Sequence, residues 1–335
     1  MENFIKYVNI HNFKSIADLK LEDCRRINLF IGYPNVGKSN VLEALGLFSV
    51  PFLRKNESLK KLLRVENHSE LFYDFFDDTC EIYTDSKKIK IGIKENLHIL
   101  LNDKLYYHFT TESKLLRTTP SRNQSNKFSN ENNIKRYTFK LNNKWKSYNN
   151  EIQLLPPFGE NIVDTLSYNT DTDDVKVFIK NEFAKYGLKL LFNKENKSLL
   201  ISPNTGDDII FLLPYSSIAD TLQRVIFYKT AIASNKNSVL LFEEPEAHAF
   251  PPYIANITQD IIDAKTNQFF IVTHSPFVVN DFLEYEHLRR ETSIYLFDFK
   301  DNQTIARRLT DKEMDEIYEY GIDLFFNIEK FLEEE

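Results

Sequence analysis

The stretch from Gly32 to Ser39 constrains this chain more than any other part of its sequence. It fits the pattern G-x-x-x-x-G-K-S/T at every position, and its glycines let the backbone wrap an anion while successive N–H groups bind phosphate oxygens. The apolar run Arg26–Ile31 before it predicts a buried strand. Asn40–Leu45 after it predicts a helix, whose N-terminus favours negative charge. The sequence therefore predicts a loop that binds phosphate groups.

Two side chains of this loop add charge and metal chemistry. Lys38 supplies a positive charge to the terminal phosphates of a nucleotide, and the Ser39 hydroxyl can ligate Mg²⁺. We therefore expect the cofactors ATP and Mg²⁺, bound by the loop and the residue after it, namely Gly32, Pro34, Asn35, Val36, Gly37, Lys38, Ser39 and Asn40.

A second motif follows about two hundred residues later. The apolar run Ser238–Phe242 predicts a buried parallel strand, and it ends in Glu243 and Glu244. One carboxylate at such a strand end can hold Mg²⁺ and the next can polarise an attacking water, although an acidic surface turn would look the same. A helix near Tyr253–Lys265 and a strand at Gln268–Thr273 come next.

His274 directly follows that second strand. A strand, helix and strand in succession predict a parallel crossover, with both strand ends on the ligand side of the sheet. An imidazole there could meet the terminal phosphate or the attacking water, and we expect His274 to act with Glu244 and Lys38 in catalysis.

These motifs together resemble the ABC-type ATPase head shared by chromosome-maintenance (SMC), RecF-like and OLD-like proteins. The resemblance is carried by Phe13–Ser15, the loop from Gly32, Leu241–His248 and Thr273–Pro276, in the family's order. It implies that Glu243 is the Walker B metal carboxylate, Glu244 the catalytic base and His274 the switch histidine. It also places Lys14 and Ser15 near the base and α-phosphate, and Glu246–His248 in a loop that meets a partner subunit.

The signature element, which closes over a partner's ATP in that family, departs from its usual form. The best candidate is Tyr215–Arg224, which contains no glycine. Asp220 would repel a phosphate, or it is the N-cap of a helix that starts there. The glutamine that usually assists Mg²⁺ is also not evident, because Glu70–Tyr73 occupies its region.

The expected fold is α/β, an ABC-ATPase-type P-loop fold with a mixed central sheet, a β-rich insertion and a helical segment between the motif-bearing lobes. We predict strands at Ile89–Ile93, Leu97–Leu100 and Tyr137–Lys140 within the insertion. The predicted domains are an N-terminal lobe (1–66), the β-rich insertion (67–155), a helical segment (156–205), a C-terminal lobe (206–300) and acidic amphipathic helices (301–335). The last segment docks either on its own core or on a partner.

Composition and charge indicate where the protein is located and which partners it has. The chain has only two cysteines, no signal-like N-terminus and no apolar stretch long enough for a membrane span, so we expect a cytoplasmic protein without a membrane partner. Its net charge is −7, yet residues 111–150 are basic, and residues such as Lys135, Arg136, Lys144 and Lys146 could bind nucleic acid. A solvated loop from Thr118 to Lys127 is the simpler interpretation.

Three functions fit these observations. The first is an ATPase or ATP-dependent switch, a homodimer or higher oligomer that acts with a separately encoded effector, a nuclease or toxin, in bacterial phage defence. The residues after His274 are too few for a nuclease domain of roughly 100 residues. The second is a scaffold that binds ATP but hydrolyses it weakly or not at all. The third is a RecF- or SMC-like ATPase that repairs DNA.

Overall fold

The structure is a computed structural model that describes residues 4–75, 79–93, 95–119, 133–141, 145–146, 151–193, 195–203 and 211–333. The chain forms two compact units. The first contains Met1–Arg136, Asn237–Glu244 and Lys265–Glu335, and the second contains Tyr137–Lys236 and Pro245–Ala264.

A six-stranded mixed sheet in the first unit carries the motifs found in the sequence. Its strands are β3 (Ile27–Gly32), β9 (Ile134–Tyr137), β13 (Val239–Glu243), β14 (Gln268–Val272), β15 (Thr292–Lys300) and β16 (Gln303–Arg308). The order is β16-β15-β3-β14-β13-β9, and β15, β3, β14 and β13 are parallel neighbours. All six residues of β3 and all five of β14 are buried, as expected for central parallel strands. The predicted α/β class with a mixed central sheet is confirmed.

A seven-stranded antiparallel sheet completes the first unit, in the order β2-β1-β4-β5-β6-β7-β8. Its strands are β1 (Val8–Phe13), β2 (Ile16–Leu21), β4 (Thr79–Thr84), β5 (Lys88–Ile93), β6 (Leu97–Leu101), β7 (Leu105–Phe109) and β8 (Leu115–Thr119). Every second residue of β6 is buried, the pattern of a sheet with one covered face. Because β4 pairs with β1, the strands β4 to β8 of the predicted insertion continue the N-terminal sheet.

Helices of the first unit are α1 (Lys38–Gly46), α6 (Pro276–Leu283), α7 (Glu286–Glu291), α8 (Asp311–Glu319) and α9 (Ile328–Glu333). Helix α8 begins with a capping box, in which Thr310 and Glu313 bond each other's backbone N–H groups. Met314, Ile317, Leu324, Ile328 and Phe331 are buried in this unit, so the C-terminal segment docks on its own core. The segment is not wholly helical, because β16 lies within it.

The second unit contains α2 (Ile162–Tyr168), α3 (Asp173–Ala184), α4 (Asp220–Ala233), α5 (Pro251–Asp263), β10 (Leu188–Asn193), β11 (Ser198–Pro203) and β12 (Leu213–Pro214). The three strands form a small antiparallel sheet. Lys229 of α4 donates to the Asp260 carboxylate of α5, 2.7 Å from Oδ2, and joins the two helices. In the described part of the chain, every helix is too short or too polar to cross a lipid bilayer.

Most predicted elements have close counterparts, and one is displaced. The predicted strands at Ile89–Ile93 and Leu97–Leu100 are β5 and β6. The strand predicted at Tyr137–Lys140 is wrong in position, because β9 ends at Tyr137. All four residues of β9 are buried and show no alternation of apolar and polar residues, whereas Tyr137–Lys140 alternates and so resembles a strand in sequence. The predicted loop Thr118–Lys127 lies outside the described residues from position 120 onward.

Candidate functional site

The loop between β3 and α1 has the backbone that its glycines predict. Gly37 has φ 95°, in the left-handed region, and a Cβ there would lie 1.9 Å from Thr304 Oγ1. A Cβ on Gly32 would lie 2.5 Å from the carbonyl oxygen of Phe297. Both positions therefore exclude any side chain. Pro34 and Asn35 are exposed, whereas Val36 is buried beneath the loop.

Lys38 lies inside this loop. Its side-chain amine donates to the carbonyl oxygens of Gly32 and Tyr33, each at 2.7 Å. Burial lowers the pKa of Lys38 to about 8, and the carboxylate of Glu244 opposes this shift only in part. The amine is therefore held against the first two residues of the loop, and a bound anion would stabilise its charged form.

The pH dependence of nucleotide affinity follows from that pKa. Above about pH 8 the amine of Lys38 loses its proton in the free protein, and bound phosphates favour the charged form. We expect the dissociation constant for ATP to rise above pH 8, with a slope approaching about tenfold per pH unit. Binding of a fluorescent ATP analogue between pH 7 and pH 9.5 measures this. Lys38→Arg, which stays charged, should show a flat profile, and an equally steep profile in that variant would contradict the assignment.

The second half of the site lies at the same edge of the central sheet. Strands β13 and β14 run parallel to β3, so their carboxyl ends and the phosphate loop share one edge. The backbone N–H of Glu244 donates to Val272 at 2.9 Å, and Glu244 has φ 44°. A positive φ at a residue other than glycine stores strain, a frequent feature of functional sites.

Three of the predicted catalytic residues come together at this edge. His274 Nε2 lies 3.7 Å from Glu244 Oε1. Burial and the charge of Lys38 lower the pKa of His274, although Glu244 acts in the opposite direction. The side chains of His274 and Glu244 are 42% and 46% exposed, so water reaches both. The arrangement combines an amine, a carboxylate and an uncharged imidazole around an accessible space.

Ser39 and Glu243 offer ligands suited to Mg²⁺. The Ser39 hydroxyl donates to the Glu243 carboxylate. Burial alone would raise the pKa of Glu243, but Arg136, this hydroxyl and Arg64 hold it below its usual value, so the carboxylate is ionised. Among the described residues no group of three or more His, Cys, Asp or Glu side chains could hold a metal alone. A hydroxyl and one carboxylate fit an ion that takes its other ligands from phosphates and water.

A cluster of five charged side chains, of which Glu243 is one, was not predicted from the sequence. It consists of Lys14, Glu43, Arg64, Arg136 and Glu243, which we call the ion cluster. Glu43 of α1 is fully buried and pairs with Lys14 and with Arg64 Nε, the latter at 2.8 Å. Arg64 and Arg136 both donate to Glu243. These residues are far apart in the sequence, and no local pattern joins them.

Lys14 and Ser15 precede β2, and the structure gives both a partner. The Lys14 amine donates to Glu43 and to the carbonyl oxygen of Arg64. Ser15 Oγ lies 2.7 Å from Thr304 Oγ1 and accepts from Asn40 at 2.7 Å. Their contact with a nucleotide stays a prediction. Thr304, which the sequence did not single out, supports the loop beside Gly37.

The signature-like segment lies in the second unit. Ala219, not Asp220, is the N-cap of α4, so the predicted N-cap role of Asp220 is wrong by one residue. Asp220 is the first helical residue and lies 3.9 Å from Arg224, one turn along. The Thr221 hydroxyl donates to the carbonyl oxygen of His248 at 2.7 Å. His248 is exposed, as a partner-facing loop requires, whereas Glu246 is buried.

The basic residues near position 136 and the segment around Glu70 have structural contacts in place of the roles considered for them. Lys135 and Arg136 are each only 5% exposed, so they are not the surface cations that the possible nucleic-acid interaction required. Both lie on β9, a strand of the central sheet. Lys146 pairs with Glu160, and Lys144 lies outside the described residues. Glu70 accepts the backbone N–H groups of Glu66 and Asn67 in a short turn.

Comparison with known proteins agrees with this geometry. The family described as "AAA domain, putative AbiEii toxin, Type IV TA system" matches residues 27–280. The DNA replication and repair protein RecF of Caldanaerobacter subterraneus subsp. tengcongensis is 31% identical over 101 residues, 28% of this chain and 25% of that protein. An ATP/GTP phosphatase of Helicobacter pylori is 22% identical over 96% of this chain and 100% of its own length.

The fold also matches a solved structure. The Smc head domain of Pyrococcus furiosus, solved with an extended coiled coil and bound to the C-terminal domain of ScpA, superposes with a TM-score of 0.55. The match covers 95% of this chain and 99% of that one at 12% identity, which shows the fold alone.

Several curated relatives are longer than the matched region. The chain spans between 25% and 49% of the length of three of them, including RecF. Because the family match includes the phosphate loop, both strand-end carboxylates and His274, the ABC-type P-loop fold expected from the sequence is confirmed. The chain belongs to the AAA-domain family described as a putative AbiEii toxin of a type IV TA system, and its fold is that of the SMC head, an ABC-type P-loop ATPase fold.

Proposed function

We propose that this protein hydrolyses ATP with Mg²⁺ at the edge of the central sheet where the phosphate loop, Glu243, Glu244 and His274 meet. The observation that carries the proposal is that His274 Nε2 lies 3.7 Å from Glu244 Oε1. The Glu244 carboxylate also raises the pKa of Lys38, and the charge of Lys38 lowers the pKa of His274. Residues from three separate parts of the chain converge there. An accidental acidic turn would not bring a buried lysine and a histidine to the same carboxylate.

Each side chain has a distinct role in this proposal. The loop N–H groups and Lys38 hold the phosphates, while Ser39 and Glu243 would hold Mg²⁺, which would supply positive charge to the phosphate oxygens. Glu244 accepts a proton from the attacking water. His274, whose lowered pKa keeps it uncharged near neutral pH, donates a hydrogen bond to the terminal phosphate or accepts one from the water.

Phosphate release from excess ATP tests the proposal. The wild-type protein should complete many turnovers, and Lys38→Met should reduce the rate by about 10²-fold or more because the phosphates lose their buried cation. Lys20→Met, an exposed lysine on β2 paired with Glu22, is the matched control and should behave as wild type. ATP that stays bound and intact after long incubation would instead favour the non-hydrolysing scaffold.

We propose further that hydrolysis takes place in a homodimer or higher oligomer. The exposed His248 and the start of α4, joined through Thr221, form a polar surface in the second unit. The solved Smc heads are bound to a ScpA domain, which supports the use of this fold in assemblies. The rate per protein molecule should therefore rise with protein concentration. A rate that stays constant across a hundredfold dilution would contradict this.

The effector and the biological process are also proposals. The family description names a putative toxin of a type IV TA system, which supports a role beside a second, separately encoded protein in bacterial phage defence. The RecF relatives keep a DNA-repair role as the alternative, but the buried Lys135 and Arg136 remove two of the cations on which it depended. Two experiments discriminate these functions. Co-purification with the product of an adjacent gene would support the defence role, and sensitivity of a deletion strain to DNA damage would support the repair role.

A further inference from the structure

The carboxylate of Glu243 is bound by an arginine on each side. Its Oε1 accepts from Arg64 Nη2 at 3.0 Å, and its Oε2 accepts from Arg136 Nη2 at 2.8 Å. Charge-assisted bonds of this kind are stronger than neutral ones. A divalent cation that binds this carboxylate directly therefore shares an oxygen with a guanidinium, and the two positive charges repel each other.

The two arginines differ in their freedom to move. The Arg136 side chain is 5% exposed, and its Nη1 donates to the carbonyl oxygen of Leu62. A Cβ added to Gly46 would lie 2.8 Å from Arg136 Cδ, so α1 packs against its stem. The Arg64 side chain is 64% exposed. Only Arg64 has open space into which its guanidinium can turn.

Arg64 also has a second anchor. Its Nε donates to Glu43 Oε1 at 2.8 Å, and Glu43 is fully buried, with Lys14 as a further partner. If Nη2 leaves Glu243, the bond from Nε to Glu43 can persist. Loss of an exposed ion pair has a small effect on stability. Removal of Arg136 would instead leave a mostly buried carboxylate without its nearest cation.

We propose that Arg136 is a fixed positioning residue for Glu243 and that Arg64 is an exchangeable partner, which leaves Glu243 when Mg²⁺ binds with the nucleotide. The proposal rests on the assignment of Glu243 as the metal carboxylate in the proposed function. In the absence of metal, Arg64 neutralises Glu243. When the metal binds, the guanidinium of Arg64 leaves Glu243, so metal binding is coupled to the position of this side chain. Glu43 acts as the pivot of this exchange.

Titration of Mg²⁺ against binding of a fluorescent ATP analogue tests the proposal without a need for turnover. Arg64→Met removes the competitor, so the Mg²⁺ concentration at half-saturation should fall by about threefold, the size of effect expected for an exposed ion pair. Arg136→Met removes the positioning residue, so that concentration should rise by about tenfold or more. Arg290→Met is the matched control, because Arg290 is a partly exposed arginine paired with Asp311 and Asp315 away from this site.

Arg64→Lys separates exchange from a general effect of charge. A lysine keeps the positive charge but carries all its donors on one nitrogen, so it cannot reproduce the separate bonds of Nε to Glu43 and Nη2 to Glu243. We expect its half-saturating Mg²⁺ concentration to lie between those of wild type and Arg64→Met. A half-saturating Mg²⁺ concentration in Arg64→Met that is equal to or higher than that of wild type would overturn the role given to Arg64.

Two further measurements keep the outcomes distinct. Thermal unfolding of each variant identifies loss of fold, and Arg136→Lys, which retains the buried charge, should recover part of the Mg²⁺ affinity lost in Arg136→Met. Nucleotide that fails to bind wild type at any Mg²⁺ concentration would overturn the proposed function itself. Normal binding with identical Mg²⁺ dependence in all variants would overturn only the exchange.

Discussion

Glu244→Gln is expected to lower kcat for ATP hydrolysis by about 10²-fold or more while it leaves the affinity for ATP within about threefold of wild type. Glutamine keeps the size of the side chain and its hydrogen bonds but cannot accept a proton from water. Glu244 follows β13 with a strained backbone and lies beside His274, so its carboxylate is placed for that step. The rate of phosphate release at saturating ATP measures kcat, and equilibrium binding of ATP measures the affinity.

The matched control for this prediction is Glu319→Gln. Glu319 ends α8 and is exposed, so its variant should hydrolyse ATP at the wild-type rate. Equal rates in Glu244→Gln and wild type would remove Glu244 from catalysis. A loss of nucleotide binding together with the rate would instead mean that Glu244 supports the loop through Lys38.

Glu43→Gln is expected to destabilise the protein by about 3 kcal/mol, the size reported for breaking a buried ion pair. The Glu43 side chain is 0% exposed and pairs with Lys14 and Arg64, while Arg136 Nη1 lies 3.8 Å away. Without the charge of Glu43, Glu243 would be the one carboxylate of the ion cluster left to balance the mostly buried Lys14 and Arg136. Thermal unfolding monitored by circular dichroism should show a fall in Tm of several degrees.

Glu22→Gln provides the comparison for stability. Glu22 pairs with Lys20, and both side chains are more than half exposed, so its loss should change the free energy of unfolding by less than about 0.5 kcal/mol. If Glu43→Gln were as stable as Glu22→Gln, the ion cluster would contribute nothing to the fold, and its role would be confined to Glu243.

The sequence predicts the parts of this site that are contiguous in the chain. A strand, a glycine loop and a helix leave a local pattern from Arg26 to Leu45, and an apolar strand ending in two carboxylates leaves another. Parallel strand order then places His274 at the same edge. Each of these inferences needs only short-range periodicity and one rule about sheets.

The ion cluster and Thr304 could not be found in that way. Glu43 and Glu243 are bonded by Arg64 and Arg136, and the Arg64–Glu243 contact spans 179 positions. Arginine and lysine near residue 136 contribute to a basic composition whether they face water or a buried carboxylate. The charge count of residues 111–150 therefore favoured a surface that β9 does not provide. Thr304 contacts Ser15 across 289 positions and has no motif of its own.

In the proposed function, residues 32–39 and the two carboxylates at the end of β13 form one nucleotide site. A crystal structure with Mg²⁺ and a non-hydrolysable ATP analogue tests it directly. We predict phosphates in the loop, Mg²⁺ in contact with the Ser39 hydroxyl and the Glu243 carboxylate, and Glu244 and His274 facing the terminal phosphate. Phosphates bound in the loop with the metal away from Glu243, and Glu244 turned from the nucleotide, would contradict the account.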